Sequence, residues 1–373
     1  YPQKALAPHT IAMEKNKHQS SNLENFTCPM PLTHRETIVI SHGSGGRMTS
    51  DLIRTVFQKH FQNSWLDRQN DFADILLDEN FKDHKIVVST DSHIIDPIFF
   101  PGGDIGRLAI AGTVNDISMS GGIPCFITAS FILEEGFLIN DLERIAFSMQ
   151  QTAQEAGVFI IAGDTKVAQK GKADKVFIST AGIGFVEKDV NIGGEFARPG
   201  DVVIISGTIG DHGIAVLAAR NELNFKTSIV SDVAPLNNLI QSILKAAPNV
   251  HVLRDPTRGG LATSLNEIAL QSSCSIELVE NEIPVKREIR AACEMLGFDP
   301  LHVANEGKVI IILPEAEAPL ALKALQAHPL GKDAAIIGHV VQSLGSSRVI
   351  MKTKIGGTRI VDMLSGEMLP RIC

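Results

Sequence analysis

The stretch 189–200, with Gly193-Gly194 and Pro199-Gly200, limits how this chain folds more than any other feature. It carries no helical or strand period, and its glycines and prolines interrupt both. On either side, short apolar runs alternate with longer stretches of helical period, the pattern of α/β domains. With 373 residues, 44% of them hydrophobic, the chain can bury more than one core, so two domains are expected. Thirty-one glycines against one tryptophan and one tyrosine suit an α/β protein with many tight loops better than an all-β binding module.

Residues 1–37 are polar, carry Pro2, Pro8, Pro29 and Pro31, and are expected to form a partly disordered extension. The first domain, 38–188, is expected to open with a short strand at Ile38-Val39-Ile40 and a helix with Met48, Leu52, Ile53, Val56 and Phe57 on its apolar face. A buried strand at 86–88, a helix over 105–119 and a strand over 126–133 follow. Asn140 and Glu143 resemble a capping box for the next helix, and strands at 158–161 and 175–185 complete the domain. The second unit, 189–345, alternates strands and helices. Residues 346–373 read as a hairpin around Gly356-Gly357 and an irregular tail.

A net charge of −8 argues against non-specific nucleic-acid binding, which needs a basic surface. No apolar run approaches membrane-spanning length, and the N-terminus lacks a secretory pattern. Cys28, Cys125, Cys274, Cys293 and Cys373 are odd in number and scattered, which fits neither a disulfide framework nor a zinc site. A cytoplasmic protein is expected.

Four segments of the first domain combine glycine with acids at the ends of expected strands. Gly43-Ser44-Gly45-Gly46 precedes a helix, where backbone N–H groups and the dipole suit an anion, although an ordinary turn would look the same. Ser89-Thr90-Asp91-Ser92 closes a strand, and Asp91 could hold Mg²⁺ or cap the next loop. Asn115-Asp116 falls inside an apolar helix, an awkward place for an amide and an acid unless they serve a metal or nucleotide. Gly163-Asp164-Thr165-Lys166 follows the strand at 158–161 and offers backbone donors, a carboxylate, a hydroxyl and an ammonium. Its spacing is not that of a Walker loop.

In the second domain, Arg254-Asp255-Pro256-Thr257-Arg258-Gly259-Gly260 stands at the mouth of a helix. Two arginines and a diglycine there make an anion pocket, with Asp255 free to share a cation. Glu267 lies two turns on, ~10 Å along the axis, beyond the small Thr263 and Ser264. A slender arm could reach it and use it as a general base; a solvated helix face would read the same. Asp211-His212-Gly213 could lie near phosphates, or be an N-cap aspartate beside a surface histidine.

The sequence ends in Pro370-Arg371-Ile372-Cys373. A thiol on a mobile arm can be loaded by one partner, changed in an active site and offered to another, whereas an idle end simply frays. Pro370 keeps the arm from coiling, and Arg371 offsets the terminal carboxylate, which alone would raise the thiol pKa. Prenylation would need the cysteine three residues earlier.

Together, Gly43 to Gly46, Ser89 and Asp91, Asn115-Asp116, Gly163 to Lys166, Arg254 to Gly260 and the terminal Pro370 to Cys373 resemble the HypE family of hydrogenase maturation proteins. That family sits in the PurM-like superfamily with aminoimidazole ribonucleotide synthetase, selenophosphate synthetase and thiamine-monophosphate kinase. The resemblance spans 38–373. Its acid and glycine motifs belong to the superfamily, the terminal Pro-Arg-Ile-Cys belongs to HypE, and no motif position departs.

The resemblance implies a two-domain PurM-like α/β fold, a homodimer whose first domains close a β-barrel, and ATP held near that interface. It also implies a reaction. The carbamoyltransferase HypF loads Cys373, ATP drives dehydration of the thiocarboxamide to a thiocyanate, and the cyanide passes to iron held by HypC and HypD for a nickel–iron hydrogenase. ATP would be cradled by Gly43, Ser44, Gly45, Gly46, Asn115, Gly163, Asp164, Thr165, Arg258 and Gly259. Asp91, Asp116 and Asp255 are then the Mg²⁺ candidates, Lys166 the phosphate cation or proton carrier, and Glu267 the base at the nitrogen.

Two rivals remain. A selenophosphate synthetase type would need a reactive cysteine near a lysine before the first helix, and none stands near Gly43. A thiol carrier would use nucleotide only as a switch. ATP turnover that depends on carbamoylated Cys373 separates them.

Overall fold

The fold, given by a computed structural model, is described for residues 36–43, 47–68, 82–220, 228–343, 345–363 and 372–373. The expected extension lies outside these residues except for Glu36 and Thr37, as do Ser44-Gly45-Gly46, Pro370 and Arg371.

The first domain opens with α1 (Arg47–Leu52), one π-helical turn (Ile53–Phe57) and α2 (Gln58–Phe61). Next come β1 (His84–His93), the two-residue β2 (Phe99–Phe100) and β3 (Gly103–Asp104), and α3 (Ile105–Met119). After them run β4 (Ile123–Glu134), α4 (Ile139–Ala156), β5 (Phe159–Ala168) and β6 (Val176–Glu187). The main sheet has the order β1-β6-β4-β5. α4 buries Leu142, Ile145, Ala146, Met149 and Ala153, a 3–4 spacing that gives it one apolar face, and left-handed Gly157 ends it. α3 is buried around nearly its whole circumference.

Three expectations are corrected here. Ile38-Val39-Ile40 is not a strand: Thr37 makes an isolated bridge to Leu138, and Ile40–Gly43 is a 3₁₀ turn. Fully buried Ile38 instead trades backbone bonds with Gly136 and Phe137. The Asn140–Glu143 capping box does not form, because α4 starts two residues earlier, at Ile139 with Leu138 at its cap. β1 and β5 run through the Asp91 and Gly163–Lys166 motifs, so neither is a loop after a strand.

The second domain comprises β7 (Asp201–Ile205), α5 (Asp211–Ala219), α6 (Asn237–Ala246), β8 (Val252–Arg254), α7 (Gly260–Ser272) and β9 (Ser275–Val279). It continues with α8 (Arg287–Leu296), β10 (Ile310–Pro314), α9 (Ala318–Ala327), β11 (Ala335–Val341), β12 (Val349–Lys352) and β13 (Thr358–Val361). One seven-stranded sheet, in the order β13-β12-β9-β11-β7-β10-β8, carries helices on both faces. Val203, Ile205, Ile310 and Ile312 meet Leu261, Leu265 and Ile268 of α7 on one face. Val202, Ile204, Ile311 and Leu313 meet Leu239, Ile240 and Ile243 of α6 and Leu325 of α9 on the other. Burial on both faces explains why these strands read as unbroken apolar runs. The expected hairpin is β12–β13, and it forms the edge of this sheet with β12 parallel to β9.

Asn115 ties the domains together. Its Nδ2 donates to the Ala234 carbonyl (3.1 Å) and the Glu306 carbonyl (3.4 Å), and its Oδ1 accepts from Leu236 N (2.8 Å). Arg107 Nε adds a bond to the Val233 carbonyl at 2.9 Å. Among the described residues no helix is long and apolar enough to cross a membrane.

Candidate active site

Strand alternation turns Ser89, Asp91 and His93 of β1 toward α3, where Gly112 makes room for them. A Cβ at Gly112 would come within 3.2 Å of the His93 ring and 3.5 Å of Asp91 Oδ2. One turn further along α3, Asp116 accepts from Ser89 Oγ at 2.6 Å. Burial raises the Asp116 pKa despite that bond, and the Asp91 charge adds to the rise.

Asp255, just beyond β8, faces this pair from the second domain. Burial, then the charge of Asp116, pushes it up to about 7. The loop into α7 is held in shape by Gly259 (φ 77°) and Gly260 (φ 60°), conformations that glycine adopts freely. A Cβ at Gly260 would also stand 2.6 Å from the carbonyl oxygens of Leu301 and Val303. Asn305 straps the two loops by donating to the Pro256 carbonyl at 2.9 Å.

Glu306, which the sequence reading missed, completes the cluster. Its backbone N–H donates to Asp232 (3.1 Å), and Asp232 in turn pairs with Lys308 at 3.0 Å. Its Oε1 is buried with no hydrogen-bond partner among the described residues. Burial, then the charges of Asp255, Asp232, Asp91 and Asp116, holds its pKa well above the carboxylate range. The available signal was Asn305-Glu306-Gly307-Lys308, acid and glycine beside an apolar run, the pattern noted elsewhere in the chain.

Gly307 is required by close approach, since a Cβ there would meet the Asp232 carbonyl oxygen at 1.8 Å. Gly307→Ala is therefore expected to destabilise the protein by about 3 kcal/mol and lower its Tm by roughly 5 °C or more. A thermal melt checks this; an unchanged melt would mean the loop has slack.

The last two residues are seated in this site. Ile372 bridges antiparallel to Ile95, and its side chain is buried in the first-domain core. Ile94 N donates to the Cys373 carbonyl at 3.2 Å, and His212 Nε2 lies 2.7 Å from the Ile372 carbonyl. Burial, then the Glu306 charge, pushes the thiol pKa far up, and Asp91 and Asp255 contribute while Arg258 opposes. The cation acting on the thiol among the described residues is thus Arg258, whereas Arg371 lies outside them.

The expected site residues divide into groups. Asp91, Asp116, Asp255, Arg258 and Cys373 converge. Asn115 bonds the second domain's backbone at the junction, the Glu306 carbonyl included. Gly43 packs against β5, where a Cβ would meet Val167 N at 2.6 Å. Gly163 and buried Thr165 share the helix side of the sheet, while Asp164 and Lys166 point out the other side and pair with each other at 2.8 Å. Glu267 is half-exposed and paired with Arg254 at 3.3 Å. Glu306, not Glu267, is the acid whose charge acts most on the thiol.

No three of the acids, histidines or cysteines described form a ready-made metal cage. The chemistry nonetheless fits a hard cation that brings its own oxygen ligands, as Mg²⁺ does with a nucleotide. The Asp91 charge raises the proton affinity of Asp116, and both raise that of Asp255, which marks a deficit of positive charge.

Fold and site define a two-domain protein of the PurM-like class. The AIR synthase related N-terminal domain matches residues 73–186, and the C-terminal domain of the same family matches 198–350. Carbamoyl dehydratase HypE of Azotobacter vinelandii is 51% identical over 337 residues, which cover 90% of this chain and 97% of that one. A crystal structure of HypE in complex with ATP is 48% identical with a TM-score of 0.86, covering 90% of this chain and 99% of that one. A HypE–HypF complex, also 48% identical, has a TM-score of 0.73 over 86% of this chain and all (100%) of that one. The chain belongs to the HypE family of hydrogenase maturation proteins.

Proposed function

We propose that this chain uses ATP to dehydrate a carbamoyl group carried on its own Cys373 to a thiocyanate, supplying the cyanide ligand for the iron of a nickel–iron hydrogenase. The observation that carries this reading is the terminal cysteine seated among acids of both domains. An amide oxygen leaves poorly. Once it has taken the γ-phosphoryl group of ATP, with ADP leaving, the C–O bond can break with its electron pair departing on phosphate. Both N–H protons are lost, and their bonding electrons complete the C≡N triple bond.

Glu306 is the base at the nitrogen: its charge acts on the thiol, and one of its oxygens has no partner. A carboxylate with a raised pKa, once ionised, takes a proton more readily than an ordinary one. Arg258 at the mouth of α7 stabilises charge on the transferring phosphoryl group. Asp91, Asp116 and Asp255 would hold Mg²⁺, which when bound neutralises phosphate charge. Gly163, Thr165 and Gly259 line the nucleotide's approach.

Asp164 and Lys166 share their sheet face with exposed Ile86 (58%), Val88 (66%) and Ile132 (44%). We assign that face to a second copy of the chain, two four-stranded sheets closing a barrel without free edges. Light scattering that gave a monomer would remove the barrel. HypF is the loading partner, HypC–HypD the cyanide acceptor, and the cytoplasm the compartment.

The test is intact mass after incubation with HypF, carbamoyl phosphate and ATP. The expected record is gain of a carbamoyl group and then loss of water. A stable carbamoyl adduct in the presence of ATP would sink the proposal.

A further inference from the structure

The second domain holds the tail through a side chain that the reaction above leaves without a role. His212, at the start of α5, is fully buried, and its ring stands edge-on to Phe100 with centroids 5.5 Å apart. Nε2 lies 2.7 Å from the Ile372 carbonyl and Nδ1 lies 2.8 Å from Ser231 Oγ. A carbonyl only accepts, so Nε2 carries the hydrogen and Nδ1 accepts the Ser231 hydroxyl proton. Ser231 Oγ also accepts from Val233 N at 3.1 Å, which holds the hydroxyl in place beside the ring.

We infer that His212 is a latch for the tail, a positioning residue that holds the Ile372 carbonyl and thereby keeps Cys373 beside Glu306. The first domain supplies the other holds: the Ile95 bridge, Ile94 N–H and the pocket for the Ile372 side chain. Because His212 comes from the second domain, the tail is pinned across the domain junction, and Ser231 sets the tautomer that pins it. The latch's role in dehydration rests on the dehydratase reading; its hold on the tail does not.

The experiment labels Cys373 in the native full-length protein with a small maleimide, without partner or ATP, and reads the site by peptide mapping. His212→Leu removes the donor and is expected to label about tenfold faster, the worth of one buried hydrogen bond. His212→Gln keeps an N–H donor and should label at close to the wild-type rate. Ser231→Ala, a smaller change that spares the ring, should label several-fold faster even if His212→Leu folds poorly.

In the coupled assay, His212→Leu should accept the carbamoyl group at least as fast as wild type and dehydrate it about tenfold more slowly. His212→Gln, which keeps the donor, should bring both steps back toward wild type, whereas a packing defect at this buried position would not be rescued by it. Wild-type labelling in both His212→Leu and Ser231→Ala would overturn the latch, as would His212→Gln labelling as fast as His212→Leu. If labelling responds as expected while wild-type protein never loses water from its carbamoyl adduct, the dehydratase reading fails and the latch stands.

Discussion

Cys373→Ala is expected to take up no carbamoyl group at all, while Glu306→Gln takes it up normally and then stalls. The alanine variant lacks the thiol proposed to carry the group, and its fold should survive because Ile372 keeps the tail's apolar anchor. In Glu306→Gln the side-chain amide keeps the size of the acid but cannot accept a proton at neutral pH, so dehydration should slow by about a thousandfold. Gln also relieves a buried carboxyl crowded by Asp255 and Asp232, so the variant should be at least as stable as wild type. Glu267→Gln is the control: its carboxylate pairs with Arg254 on a half-exposed flank, and its dehydration rate should stay within a few-fold of wild type. The mass of the tail peptide after ATP addition decides. Full conversion in Glu306→Gln together with arrest in Glu267→Gln would return the base to Glu267.

Asp116→Ala and Asp255→Asn should each lose ATP turnover by about a hundredfold or more while still accepting the carbamoyl group. Wild-type ATP turnover in both would remove them from the site. Asp255 adds a pH signature. Its ordinary value of 3.8 rises to about 7 in the fold, so between those values the folded protein keeps a proton that the unfolded chain has lost. Stability therefore falls as pH rises across that window, and the loss is complete above it. Nucleotide-free, metal-free protein should melt at lower temperature at about pH 8 than at about pH 6.5, and Asp255→Asn should flatten that slope. Glu306, shifted in the same direction, keeps the slope from vanishing. An unaltered slope in Asp255→Asn would mean that the carboxyl is better solvated than its burial indicates.

Much of this architecture is legible in the chain because it is written locally. The apolar circumference of α3 makes Asn115-Asp116 conspicuous, and Gly259-Gly260 marks the start of α7. What stayed hidden depends on distant partners or on strand extent. Lys166 reads as a phosphate ligand until β5 proves continuous through Gly163, after which alternation puts Thr165 and Lys166 on opposite faces. Glu306 draws its character from Asp232, Asp255, Asp91 and Asp116, all remote in sequence, so the acid-and-glycine run around it hints at a site but not at a perturbed acid. Asn115 shows a second use for an amide inside an apolar helix, being claimed by another domain's backbone, which its own segment does not announce.

The seated thiol has a consequence for chemical safety. Thiols react with oxidants and electrophiles as thiolates, and burial beside Glu306 keeps Cys373 protonated at neutral pH. The same placement that readies the cysteine for dehydration should slow its reaction with peroxide and with adventitious electrophiles. On the reaction proposed above, the thiol would be open to oxidation only while it is away from this seat.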